Sequence, residues 1–202
     1  MTGSERREQL IDIGRAVFAE KGFDAASIEE IAQRAEVSKP IVYEHFGGKE
    51  GLHAVVVDRE VQQVLGRITE ALHGGHPRVM LEQAARAFLT YVEEQPDGFR
   101  ILVRDSPAVS ESGTFASVIG DIAARVEYVF AAEFKARDYD TKLAPLYSRA
   151  LVGMVALVGQ WWRDAGKPKR DVVVAHLVNL AWNGLKDLDP RPSLEGKRKR
   201  PK

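Results

Sequence analysis

Apolar residues recur at three- and four-residue intervals along almost the whole chain, and no stretch alternates with period two for long enough to suggest a strand. This pattern confines the chain to an all-α fold, and glycines, prolines and capping residues divide it into about nine helices. The spacing predicts helices over 5–22, 28–35, 39–46, 49–73, 78–95, 97–104, 114–137, 140–165 and 171–188. Ser27 with Glu30 three residues on reads as a capping box for the second helix, and Ser38 as the cap of the third. Asp140 is placed to cap the eighth helix, with Gly166 closing it.

Composition narrows the class of function. The 202 residues include no cysteine, which removes disulfides, thiolate metal sites and a cysteine nucleophile and makes a reducing cytoplasm the expected location. No apolar segment follows Arg6-Arg7 as a signal peptide would require, and the run from Ala150 to Trp162 is too short to span a bilayer, so no membrane partner is expected. Formal net charge is zero. Residues 1–52 carry seven bases against ten acids, a net of −3, so any nucleic-acid reading must rest on the placement of particular side chains.

Such a placement exists. The second and third helices are short and joined only by Glu36-Val37-Ser38, the geometry of a helix-turn-helix. Ile28, Ile31, Ala32, Val37, Val42 and Phe46 would pack inward against Val17 and Phe18, leaving Lys39, Pro40, Ile41, Tyr43 and Glu44 near the outer face. The order Ser38-Lys39-Pro40-Ile41-Val42-Tyr43-Glu44-His45-Phe46-Gly47-Gly48-Lys49-Glu50-Gly51-Leu52, with Phe18-Ala19-Glu20-Lys21-Gly22-Phe23 and Ser27-Ile28-Glu29-Glu30-Ile31-Ala32, resembles the TetR family of repressors. Many members have glycine in the turn where Glu36 stands; a positive φ there would cost a glutamate about 1 kcal/mol relative to glycine.

The resemblance implies an N-terminal three-helix DNA-binding domain over 1–52 and a helical ligand-binding and dimerisation domain over 53–188. A basic tail follows over 189–202, where three prolines and a Lys/Arg cluster lead us to expect disorder. The function implied is sequence-specific regulation of transcription, as a ligand-responsive repressor binding a pseudo-palindromic operator in double-stranded DNA as a homodimer. The side chains fit these roles. Lys39 can donate to guanine or phosphate; Pro40 and Ile41 can contact thymine methyls. Tyr43, His45 and Lys49 are placed for phosphates, Ser27 with the amides of the second helix for another, and Arg6 and Arg7 for the backbone or minor groove.

Helices eight and nine are apolar over more than one face, which a second copy of the chain would cover. The expected dimer residues are Met154, Val158, Trp162, Leu177, Ala181, Trp182 and Leu185. By resemblance, helices four to eight enclose an effector pocket whose candidate liners are Phe88, Tyr91, Phe99, Leu102, Phe115, Tyr128, Tyr147 and Trp161, with Arg104 and Arg125 available to an anionic ligand. No cofactor and no metal site are expected. No G-x-S-x-G, P-loop or H-E-x-x-H pattern suggests an enzyme. Two competing readings are a dimeric small-molecule-binding protein with a vestigial head and a non-specific DNA organiser using the basic tail.

Overall fold

A computed structural model describes residues 1–103, 114–189 and 192. Among them are nine α-helices and no strand: α1 (Gly3–Lys21), α2 (Ile28–Arg34), α3 (Lys39–Phe46), α4 (Lys49–Ala71), α5 (Pro77–Glu94), α6 (Pro96–Val103), α7 (Thr114–Ala136), α8 (Ala144–Ala165) and α9 (Arg170–Lys186). Arg104 and the basic cluster at 197–202 lie outside the described residues.

Local capping departs from expectation at four helix starts. Ser27 does accept the Glu30 amide at 3.2 Å, but Glu30 does not reach back; its carboxylate turns to Lys21 and Arg34 instead. The reciprocal capping box sits at Thr2 and Glu5, so α1 begins at Gly3, two residues before the expected start. Ser38 makes no side-chain cap, because Pro40 has no N–H to offer and the Ile41 amide bonds the Ser38 carbonyl at 3.1 Å. Asp140 caps a short 3₁₀ turn, Thr141–Leu143, that leads into α8.

The first three helices and the start of α4 pack around Leu10, Val17, Phe18, Ile31, Val42 and Leu52, all buried. The apolar core does not stop at residue 52. It continues through Val56, Val64 and Ile68 of α4 into Phe88, Leu89, Phe99, Val152 and Val178, so α4 belongs to head and body alike. Polar links reinforce this junction: Arg59 of α4 reaches Glu8 of α1 at 2.7 Å, and Arg100 of α6 donates to the Ala19 carbonyl at 3.4 Å. In the body α8 folds back along α7, with the Tyr147 ring 5.2 Å from that of Phe134. The segment Thr141–Ala165 is longer than its most apolar run suggests and has the length and composition of a membrane span. Here, however, Val152, Ala156 and Gly159 of α8 are buried against the rest of the body.

Candidate nucleic-acid interface and effector cavity

Two features hold α3 outward on the head. Val42 is fully buried and, with Ile41 and Phe46 partly so, anchors one side of the helix. The turn before it is closed by the Val37 amide bonding the Ala32 carbonyl at 3.0 Å, which requires Glu36 at φ 54. The cost anticipated for a glutamate in that turn is therefore present. What remains facing solvent is Lys39, Pro40, Tyr43 and Glu44, with Tyr43 53% exposed. A helix of eight residues with its N-terminal half presented this way has the dimensions to enter a major groove.

Several of the candidate side chains have partners within the free protein. Lys39 is ion-paired with Glu29 of α2, and the same hydrogen bond holds the Glu29 carboxyl below its ordinary pKa. Lys49 donates to the Phe23 carbonyl at 3.0 Å and lies 4.4 Å from the centre of the Phe23 ring, so it also closes the α1–α2 connection. His45 is half-buried beside Phe46, and Ser27 is occupied as a cap. Arg6 is not a free arm: it reaches Gln9 at 2.7 Å and the Ala35 carbonyl at 3.5 Å. The Arg7 guanidinium lies 4.6 Å from the Phe46 ring centre.

In the body, a cavity of about 740 Å³, its open mouth included, lies among α5, α7 and α9 and the end of α4. Its wall includes Leu72, Met80, Phe130, Phe134, Trp182 and Leu185, with Glu133 and Arg137 as its charged members. A second space of about 430 Å³, lined by Ile68, Phe88, Ile119 and Val155, shares Leu81, Ala84, Val126 and Leu151 with the first. The aromatic residues singled out in sequence mostly lie elsewhere. Phe88 does line the inner space. Tyr91, Phe99 and Leu102 are buried core, Phe115 packs on Phe99, and Tyr147 meets Phe134 edge to face. Tyr128 is 81% exposed, two residues from the cavity-lining Phe130 and on another side of α7. Arg125 turns back to the Asp121 carbonyl at 3.2 Å.

The register of the apolar faces on α8 and α9 also differs. Trp162, Leu177 and Ala181 are buried inside the protomer, and Trp182 and Leu185 line the cavity. Met154 and Val158 are half-buried. The face left open carries Leu146, Leu157 and Trp161 of α8 and Val172 and Leu180 of α9. Neighbouring tryptophans thus exchange roles: Trp162 is 6% exposed, its indole N–H on the Pro168 carbonyl at 2.6 Å, whereas Trp161 is 57% exposed. A step of one residue turns a side chain by about 100° around a helix, enough to move it from core to surface.

Two polar groups on the buried side of α4 escaped the sequence reading. His53 lies between the rings of Phe18 and Phe23, at 4.9 and 4.8 Å, and burial with Lys49 nearby pulls its pKa below the usual value. Glu60 is 2% exposed, 2.7 Å from Arg15 and accepting from the Tyr91 hydroxyl at 2.8 Å. Burial and the neighbouring Glu60 raise the Tyr91 pKa strongly, so its hydroxyl stays a donor. Both positions fall on the stripe of Val56, Val57 and Val64, a polar residue on an apolar face being the signal that could have found them.

Comparison with known proteins agrees with this architecture. Residues 10–56 match the family model described as bacterial regulatory proteins, tetR family, and residues 77–184 match a tetracyclin repressor-like C-terminal domain. The HTH-type transcriptional activator FasR of Mycolicibacterium smegmatis is 31% identical over 183 residues, 90% of this chain and 83% of that protein. A TetR-like transcriptional regulator from Rhodococcus sp. RHA1 superposes with a TM-score of 0.71 at 27% identity, over 90% of this chain and 96% of that one. A tetR-family regulator from Streptomyces coelicolor gives 0.67 at 25% identity, over 93% and 85%. With both family domains matched in order and a helix-turn-helix head carried on a helical body, the chain belongs to the TetR family and is a DNA-binding transcriptional regulator.

Proposed function

We propose that two copies of the chain bind a pseudo-palindromic operator, each placing the exposed half of α3 in the major groove, and that an apolar effector in the body controls occupancy. The presentation of Lys39, Pro40 and Tyr43 on a helix anchored by Val42 carries this reading. Lys39 is the base-reading residue, Pro40 contacts methyl groups, and Tyr43, His45, Lys49 and Ser27 hold phosphates.

The open face of α8 and α9 supports the homodimer. Leu146, Leu157 and Trp161 lie along one side of α8, and nothing lies within 4 Å of where a Cβ would stand on Gly153 between them, leaving room for a partner helix. We place the dimer contact on this face rather than on the buried Trp162 and Leu177. A Leu157→Glu variant should sediment as a monomer that retains its helical spectrum and loses operator binding. A dimer that persists would rule out this face.

The two adjoining, largely apolar spaces favour an uncharged, mainly apolar effector. Such a ligand releases DNA only if it binds the non-DNA-binding conformation more tightly. We propose repression as the mode, although the mycobacterial relative is named an activator. The test is selection of bound sequences from a random DNA pool with the full chain, followed by a reporter carrying the selected site. A two-fold site and falling output are expected. A pool without a two-fold site would refute the operator reading, and rising output would reverse the sign.

A further inference from the structure

A buried carboxylate is costly unless its partners satisfy it, so the elements that supply those partners are tied to it. Glu60 draws its partners from two other helices and is closely approached by a third. Arg15 belongs to α1 in the head, and its Nε lies 2.7 Å from Glu60 Oε1. Tyr91 belongs to α5 in the body and donates to Oε2 at 2.8 Å. Gly98 of α6 comes so near that a Cβ there would fall 1.9 Å from Oε2 and 2.9 Å from the Tyr91 hydroxyl. The Arg15 guanidinium also donates from Nη2 to Gln95 at 2.7 Å, and Gln95 is the residue that ends α5. One carboxylate in the middle of α4 is therefore the meeting point of the head and two body helices.

The apolar residues around this point favour contact without selecting one orientation, since dispersion and burial are nearly non-directional. The Tyr91–Glu60 and Arg15–Gln95 hydrogen bonds are directional; the Arg15 Nε–H makes no aligned hydrogen bond to Glu60, and that ion pair depends on close approach alone. A tilt of α1 over α4 and α5 would separate Arg15 from Glu60 or from Gln95 and leave a buried charge short of a partner, which is strongly unfavourable. The same two body helices carry walls of the inner cavity: Phe88 stands three residues before Tyr91 on α5, and Ile68 two turns after Glu60 on α4.

We propose that Glu60, through Arg15 and Tyr91, is a positioning residue for DNA binding: it fixes the angle at which the head is carried and thereby the half-site spacing that the dimer accepts. The inference rests on the dimeric operator reading above. It assigns specificity for spacing to a residue that does not touch DNA, separate from the base preference of α3.

The experiment uses the full-length wild type and Glu60→Gln, Arg15→Gln, Tyr91→Phe and the double variant Arg15→Gln/Glu60→Gln. Binding is measured to the selected operator, to versions with one or two base pairs inserted or removed between half-sites, and to versions with a substituted half-site base. For Glu60→Gln and Arg15→Gln, the preference for native over altered spacing should fall by about fivefold or more, the lower end of couplings transmitted between distant sites. Discrimination between half-site bases should stay within about twofold. The double variant should be no worse than the poorer single one, because both remove the same contact. A merely structural role would lower the melting midpoint and weaken every DNA equally, leaving both ratios unchanged, and that result would overturn the proposal. Should Glu60→Gln fail to fold, Arg15→Gln and Tyr91→Phe decide by the same ratio. A wild type with no spacing preference would bring down the dimeric operator reading itself, whereas a preference retained in the variants would bring down only the role of Glu60.

Discussion

Glu36 holds a left-handed conformation at φ 54 in the turn between α2 and α3, so replacing it by glycine should stabilise the protein. The magnitude follows from two opposing terms. An L-residue in this region costs about 1–2 kcal/mol through the Cβ, a penalty glycine does not carry. Glycine gives back about 0.5–1 kcal/mol because its unfolded chain is freer. The net gain for Glu36→Gly is about 0.5–1 kcal/mol, or a rise of roughly 1–4 °C in the melting midpoint for a chain of this size. Operator affinity should remain within about twofold, since the pose of α3 is set by the buried Val42. Differential scanning calorimetry of wild type, Glu36→Gly and Glu36→Ala separates conformation from charge. Alanine removes the carboxylate but keeps the Cβ, and should give little or none of the gain. If glycine lowered the midpoint, or alanine raised it equally, the argument from backbone strain would be wrong.

Further outcomes are expected at the DNA-facing lysine, at His53 and at two glycines of α4. Lys39→Ala should relax base preference at one operator position by about 1–3 kcal/mol, while Glu29→Gln, which frees Lys39 from its ion pair, should tighten binding by about twofold to fivefold at low salt. Titration of labelled operator checks both, and weaker binding by Glu29→Gln would argue against the pair as a competitor for DNA. Because burial lowers the pKa of His53 in the folded head, the unfolded chain takes up the proton first as pH falls. Stability should thus decline below about pH 6.5 toward the lower folded-state value and level off above it; His53→Leu should flatten that decline in melting curves between pH 5 and 8. Finally, a Cβ on Gly51 would lie 1.9 Å from the Phe46 carbonyl oxygen at the α3–α4 corner, so Gly51→Ala should cost about 3 kcal/mol or more. Gly66 in the same helix has open space, and alanine there should be neutral or stabilising by up to about 1 kcal/mol, as denaturant titration would show.

The helices were legible because their signals are local. Apolar spacing and glycine stops place α2, α3 and α4 close to their observed bounds, and the inward set led by Ile31 and Val42 is the set that packs. The exposed half of α3 could be read the same way, since burial of Val42 dictates which neighbours face out, except for Ile41, which was expected outward and packs against the core beside Val42. What sequence did not reveal depends on helices remote along the chain. Trp161 and Trp162 are equally apolar, and only the contacts across the body decide which is buried. The cavity walls draw on α4, α5, α7, α8 and α9, and the sequence reading recovered Phe88 but passed over Met80, Phe130 and Phe134, because no local signal separates a cavity-facing apolar side chain from one packed in the core. Arg15 and Glu60 stand 45 positions apart, and no local rule pairs them.

The internal engagement of the head's cations has a consequence for how DNA binding responds to ionic strength. Lys21, Arg34 and Lys39 are held by Glu30, Glu20 and Glu29, and Arg15 by Glu60. A phosphate that recruits Lys39 displaces an internal carboxylate, and that carboxylate then gathers cations from solution while the DNA sheds its own. The two ion movements oppose each other. The slope of binding against salt should therefore count fewer phosphates than the complex contains, and salt alone would understate the size of the interface.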